Sequence, residues 1–335
     1  MYFIINMDHV QHLKNNIDNL RLRFEIISYI RLFFSKNKFT EVDTPIIVKA
    51  PGQAPNLSPM KLDVIDEKGQ NYKAYLHTSP EYSMKKMLAS GFDNIFSICK
   101  CFRNKESFGG LHNPEFTMIE WYRKESDMFA IMEDVIDLCQ FIAKKTGLKT
   151  DIFSNWQKVE MKQIWKKYID VNLGNHLDKR AMIKLCNKLG YNAKEEESYE
   201  ELFYRIFLND IEPNLKGAQI IYNYPAQMAA LSKLSQADPR YAERFEVYID
   251  NLELANAFSE LTDSIEQKKR LEKEKKYRLD NSMDSFPIDG EFIRALEYGL
   301  PPCAGIALGI DRLVQVFLDC QNIDDVLVLP MSKIF

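Results

Sequence analysis

Between Phe102 and Tyr122 two strand-like runs flank a short loop bearing Gly109 and Gly110, and the second run alternates strictly. Phe116, Met118, Glu120 and Tyr122 share one face at a period of two; Thr117, Ile119 and Trp121 share the other. The segment reads as strand, phosphate-facing loop, strand, so a sheet must run through this part of the fold. One strand face is apolar except for a carboxylate and a phenol. Those two groups, across from Arg103 at the end of the partner strand, suit a cationic small molecule beside an anionic one. Activating an amino acid with ATP requires that combination.

The chain's 335 residues, 46% of them hydrophobic, suffice for a large core. No apolar run approaches membrane-spanning length, and MYFIINM lacks the basic start and cleavage site of a signal peptide, so the expected location is the cytoplasm, with no membrane contact. A net charge of −4 argues against a dedicated nucleic-acid binder. The six cysteines show no CxxC spacing and read as plain thiols, although Cys99 and Cys101 point the same way on their strand.

Helical spacing of Leu20, Phe24, Ile27, Ile30, Leu32 and Phe34 predicts a long first helix, followed by an extended segment in which Pro45 favours an edge. Residues 51–60 form a loop. Thr78-Ser79-Pro80-Glu81 resembles a helix cap with proline in the first turn. Residues 127–215 carry helical periods and no clear strand, and read as a helical insertion. Strands return at 219–222 and 244–249, and Asp250-Asn251 predicts a two-residue hairpin turn. The charge-dense run 264–280 reads as a solvated helix, and the chain closes as helix, strand and helix over 290–318.

In that hairpin Tyr248 lies opposite Glu253 and Glu246 sits one diagonal step away. Neighbouring carboxylates are unfavourable without a cation between them, and magnesium carrying ATP phosphates is one occupant; two solvated glutamates on a wet face are the alternative. Asn256, Phe258 and Glu260 share a face of opposite parity to Glu253, so both sets meet one pocket only if a bulge near Ala255 re-aims the chain. In Gly305 to Arg312 a strand enters a helix, and Arg312 in the first turn opposes the positive end of the helix dipole, which calls for an anionic partner.

Together these segments resemble the three motifs of class II aminoacyl-tRNA synthetases, specifically the lysyl-tRNA synthetase catalytic domain: the first helix with Thr44-Pro45, then Phe102 to Tyr122, then Gly305 to Leu313. The phrases TSPEY, HNPEFTMIEWYR and AERFEVYIDNLELANAF are closer to a paralogous family, the elongation factor P (R)-β-lysine ligases. The resemblance implies an α+β fold, an antiparallel sheet flanked by helices, as a single catalytic domain over 1–335 with the 127–215 insertion, no N-terminal OB-fold and no dedicated anticodon recognition. It implies ATP, (R)-β-lysine or lysine, and elongation factor P as partners, magnesium as cofactor, and a homodimer.

Carried over by position, the resemblance assigns Ser79 and Glu81, with Pro80 between them, to the substrate amino group. Arg103 goes to the substrate carboxylate and α-phosphate. Asn113 and Phe116 are assigned to adenine, by backbone contact and by stacking. Glu120, Tyr122 and Glu260 are to surround the distal ammonium, beside Phe258. Asn256 helps the carboxylate; Glu246 and Glu253 hold magnesium; Gly309 and Arg312 take the ATP end. Asn104, Lys105, Glu106, His112 and Leu254 complete the ATP set, with Arg103 and Arg312 as the catalytic pair. Ala307 stands where synthetases usually have glycine and the paralogue has alanine, and the extra methyl implies preference for β-lysine over α-lysine.

One departure matters. Lys105 occupies the place of a family acid, and Glu106 follows with what looks like one extra residue before His112. Either Glu106 moves into that place or ATP handling is altered. Gly110 or Leu111 stands for the usual loop arginine, and Ala257 replaces a usual glycine. Two other readings accompany the ligase: a lysine-activating enzyme charging tRNA or another acceptor, and a catalytically impaired lysine- and ATP-binding module.

Overall fold

The computed structural model describes residues 8–335; positions 1–7, to which the signal-peptide reading belongs, lie outside it. Helices α1 (Asp8–Asn15) and α2 (Ile17–Lys36) lead through short strands β1 (Thr40–Glu41) and β2 (Ile47–Val48) to the hairpin β3 (Lys61–Ile65) and β4 (Asn71–Leu76), then helix α3 (Glu81–Ala89). Strands β5 (Ile95–Phe102) and β6 (Glu115–Lys124) form the expected hairpin. After it come α4 (Met128–Thr146), α5 (Thr150–Ser154), β7 (Trp156–Glu160), α6 (Met161–Ile169), α7 (Lys179–Lys188) and α8 (Tyr199–Ile206). Strands β8 (Ala218–Pro225), β9 (Tyr241–Ile249) and β10 (Leu252–Ser259), helices α9 (Ser264–Asp280) and α10 (Gly290–Gly299), strand β11 (Cys303–Gly309), and helices α11 (Ile310–Leu318) and α12 (Met331–Ile334) complete the chain.

The main sheet has the order β1-β5-β6-β11-β10-β9-β8-β7. Pairing is antiparallel from β5 across to β8, while the edge strands β1 and β7 pair parallel with their neighbours. Pro45 precedes β2, which is an edge strand of a second, three-stranded sheet, in keeping with its missing donor.

One sheet face is dry. Ile119 and Trp121 from β6 join Ile26, Ile30 and Phe34 of α2, Ile131 and Val135 of α4, and Leu313 and Val314 of α11 in a continuous core. Phe24 and Leu32, expected in the α2 stripe, stay exposed. A buried link joins the three motifs. Arg23 of α2 pairs with Asp311 of α11 at 2.6 Å and donates to Thr117 Oγ1 of β6 at 2.9 Å, while Thr117 N–H donates to Asp311 at 2.8 Å.

Two expectations need correction. The insertion is narrower than 127–215, because α4 packs in the main core; a separate core begins at Met161 and gathers α6, α7 and α8 with Tyr224 and Tyr248. That region also holds a strand, β7, whose Trp-Gln-Lys-Val-Glu sequence lacks strict alternation and which forms by parallel pairing along β8. The 264–280 helix is not simply solvated: Gln267, Leu271 and Arg278 are buried. Arg278 donates to the carbonyls of Gln53, Ala54 and Leu57, pinning the 51–60 loop.

Candidate active site

Residues directly opposed across a ladder share a sheet face. Register therefore lays Ser97, Glu120, Ala307, Asn256 and Glu246 in one row across β5, β6, β11, β10 and β9. A second row runs Tyr122, Gly305, Phe258 and Arg244. Glu120, Ala307, Asn256, Glu246 and all four residues of the second row line a cavity of about 1060 Å³. The expected bulge is present as a register shift between Glu253 and Ala255, and it brings Glu253 onto the cavity wall with Asn256 and Phe258.

Gly305 is required by this packing. A Cβ there would lie 2.2 Å from the Tyr122 ring and 2.9 Å from Glu260 Oε1.

At one end of the cavity three carboxylates converge. Glu120 accepts from Ser79 Oγ at 2.5 Å and from the Tyr122 hydroxyl at 3.1 Å. Glu81 and Glu260 both pair with Lys85, at 2.6 and 2.5 Å, and Lys85 is 1% exposed. Burial alone would pull the Lys85 ammonium down, but Glu260 and Glu81 outweigh it and raise it above the ordinary lysine value. Burial pushes Glu120 well above the carboxylate range, and the Glu81 charge adds to it. Three acids face one ammonium, which leaves this end in need of a cation.

The other end is cationic. The Arg103 guanidinium sits 4.9 Å from the Phe116 ring centroid, and its Nε is buried without a hydrogen-bond partner among the described residues. Burial lowers its pKa. Arg312 donates to the backbone carbonyl of Glu253 at 2.8 Å and of Leu111 at 3.3 Å. The Asn113 side chain is spent on the Glu115 carbonyl and the Met331 N–H.

The two hairpin carboxylates differ. Glu246 is 2% exposed and accepts from Tyr224 at 2.5 Å, Tyr248 at 2.6 Å, Tyr204 at 3.2 Å and Arg244 at 2.6 Å. The Glu253 carboxylate accepts no hydrogen bond among the described residues and has only Arg312, 4.0 Å away. Removal from bulk water, then the Glu246 charge, raises it to about 7. Arg244 also donates to Asn256 Oδ1 at 3.0 Å, and Asn256 lines the cavity.

Residues 5–333 match the family described as tRNA synthetases class II (D, K and N). The chain is 38% identical over 323 residues to the elongation factor P–(R)-β-lysine ligase of Proteus mirabilis strain HI4320, covering 95% of this chain and 96% of that one. It is 37% identical to the ligases of that name from Edwardsiella ictaluri and Buchnera aphidicola strain APS, again over 95% of this chain and 96% and 97% of theirs. The chain belongs to this family. It is a ligase on the α+β catalytic fold of class II synthetases.

Against the family pattern, most predicted positions meet in the cavity: Ser79, Glu81, Arg103, Glu106, His112, Asn113, Phe116, Glu120, Tyr122, Glu246, Glu253, Leu254, Asn256, Phe258, Glu260, Ala307, Gly309 and Arg312 all line it. Pro80, Asn104 and Lys105 do not. Pro80 caps α3, and Asn104 Oδ1 accepts from the Lys105 N–H. Lys105 has φ 63°, a left-handed turn that leaves its side chain exposed and directs Glu106 inward. There Glu106 meets His112 Nδ1 at 2.9 Å. Glu106, and not Lys105, thus lines the cavity.

Sequence reasoning missed Lys85, Arg244 and Tyr204. Lys85 lies one helical turn after Glu81, the i,i+4 spacing that announces a pair. Nothing local marks Tyr204, which reaches the cavity from the insertion, or Glu274, which reaches it from the charged helix. Among the described residues no helix is long and apolar enough to cross a membrane.

Proposed function

We propose that this ligase joins (R)-β-lysine to ATP as an adenylate and passes the β-lysyl group to a lysine of elongation factor P. The observation that carries the reading is the division of charge in one cavity. Three carboxylates, Glu120 and Glu260 buried and Glu81 partly so, form one end with a single lysine, and two arginines form the other. A diamine with a carboxylate at its far end satisfies both ends, with ATP beside it. Relatives that carry the ligase name over nearly their whole length supply the acceptor.

In this reading Glu120, Tyr122, Glu81 and Glu260 hold the distal ammonium, with Ser79 orienting Glu120. Asn256 and Arg103 hold the substrate carboxylate. Ala307 sits between Glu120 and Asn256 in register, so its methyl stands under the substrate backbone and favours the β-amino acid. The adenine stacks on the ring face of Phe116 that Arg103 leaves free, beside the Asn113 backbone. Arg312, Gly309, Glu106, His112 and Leu254 bound the phosphates. A substrate carboxylate oxygen attacks the α-phosphorus and pyrophosphate leaves; the acceptor amine then attacks the acyl carbon and AMP leaves. Arg103 and Arg312 act by positioning and charge neutralisation.

Magnesium, when bound, would offset phosphate charge. Glu253 fits it, a carboxylate on the cavity wall with unclaimed oxygens; Glu246 contributes charge from behind, its lone pairs taken by four donors. We also assign the chain to the cytoplasm and to a homodimer covering the exposed Phe24, Leu32, Ile46 and Ile47.

ATP–pyrophosphate exchange with (R)-β-lysine and L-lysine in parallel tests the reading, followed by the mass of elongation factor P after incubation. Exchange favouring β-lysine and a β-lysyl mass increase are expected. Preference for L-lysine with no change in elongation factor P overturns it in favour of a lysine-activating enzyme with another acceptor.

A further inference from the structure

Beside the cavity, at the β5 edge of its floor, lies a cluster that the proposed reaction does not use. Cys99 and Cys101 stand two apart on β5 and point to one face, with their sulfurs 3.9 Å apart. His77, at the end of β4, reaches the same place; a ring nitrogen of His77 and both sulfurs all lie within 4.8 Å of one another.

The histidine is held rigidly for this. Its carbonyl accepts from the Phe102 N–H at 3.1 Å, and its Nε2 meets the Lys100 carbonyl at 2.6 Å. Because a carbonyl only accepts, Nε2 carries the proton and Nδ1 carries the lone pair. Nδ1 is buried without a hydrogen-bond partner among the described residues, and His77 is 2% exposed. A ring whose other nitrogen donates to a backbone carbonyl is the usual arrangement of a metal-ligating histidine.

We propose that His77 Nδ1, Cys99 Sγ and Cys101 Sγ form a zinc site. Two thiolates on one tetrahedral zinc stand about 3.8 Å apart, given Zn–S bonds of about 2.3 Å, which matches the observed sulfur separation. Two sulfurs and one imidazole select a soft, tetrahedral ion over magnesium. The fourth position falls to water, for Cys99 is only partly buried whereas Cys101 is fully enclosed.

The site's place in the fold gives it a task. His77 immediately precedes Thr78-Ser79-Pro80-Glu81, the loop that delivers Ser79 to Glu120 and Glu81 to Lys85. Cys99 and Cys101 belong to the strand whose Ser97 opposes Glu120. Zinc clamps the amino-acid loop to the cavity floor, as a positioning element.

Metal content of the full-length protein purified without chelator, together with cobalt titration of the metal-stripped protein, decides the matter. Stoichiometric zinc is expected, as is a thiolate-to-cobalt charge-transfer band that is lost in Cys101→Ser and in His77→Ala. Zinc is further expected to protect Cys99 from alkylation in the unmodified protein, a readout independent of whether any variant folds. Zinc no higher than in the Cys99→Ser, Cys101→Ser double variant, or cobalt binding without the thiolate band, overturns the proposal, as does alkylation of Cys99 unaffected by zinc. Any of these results would leave a thiol pair beside a histidine and nothing more.

Discussion

The two ends of the cavity are built on opposite plans. At the ammonium end each carboxylate already has a partner: Ser79 and Tyr122 for Glu120, Lys85 for Glu81 and Glu260. At the phosphate end Arg103 keeps an unpartnered Nε, and the Glu253 carboxylate accepts no hydrogen bond among the described residues. A compact ammonium needs fixed geometry in a dry pocket, so its ligands are preassembled. A triphosphate brings its own charge and counter-ion, so Arg103 Nε and the Glu253 carboxylate are left for it to satisfy.

The contrast breaks first at Lys85. Lys85→Met leaves two carboxylates unpaired in a dry pocket and is expected to lower stability by about 3 to 5 kcal/mol, read from urea unfolding. A change under about 1 kcal/mol would mean that the pair does not hold this end together.

Next is Gly305→Ala. The added methyl overlaps the Tyr122 ring and crowds Glu260, so a cost of about 1 to 3 kcal/mol is expected. The KM for the amino acid should rise more than that for ATP. Equal changes in both would show that the Gly305 contact with Tyr122 and Glu260 does not act on the ammonium end alone.

At the phosphate end, Glu253→Gln is expected to weaken the magnesium dependence of exchange on the order of ten-fold or more. The folded protein holds the Glu253 proton more tightly than the unfolded chain, with a pKa of about 7 against an ordinary 4.5. Its ionisation therefore removes stability as pH rises through that interval, and Glu253→Gln should flatten that part of the pH–stability curve. A variant with the parent's slope would show that Glu253 titrates normally.

The smallest effect belongs to Tyr204→Phe, which removes one of four donors to Glu246 and a partner of Arg244. About 1 kcal/mol of stability is expected, from thermal melting, with little change in the KM for the amino acid. A large rise in that KM would tie the insertion to the ammonium end instead.

The sequence by itself determined what repeats at short range. Period two in β6 predicted which side chains meet the cavity and which enter the core, and Asp250-Asn251 with the parity of Glu253 and Asn256 predicted both the hairpin and its bulge. These features were legible because strand parity and turn chemistry are properties of neighbouring residues.

Tertiary structure decided which of these residues are already engaged. Glu246 and Glu253 look equivalent in the hairpin sequence, yet Tyr204 from α8 and Tyr224 from β8 join Arg244 and Tyr248 of Glu246's own strand to close one and leave the other open. Only the fold could show that the left-handed turn at Lys105 brings Glu106 inward. The same holds for β7, which forms on the edge of β8, and for Glu274, carried to the cavity by a helix that reads as solvent-facing. His77 meets Cys99 and Cys101 from more than twenty residues away. Charge, burial and hydrogen-bond satisfaction depend on every group that converges in space, and no local period in the chain records that convergence.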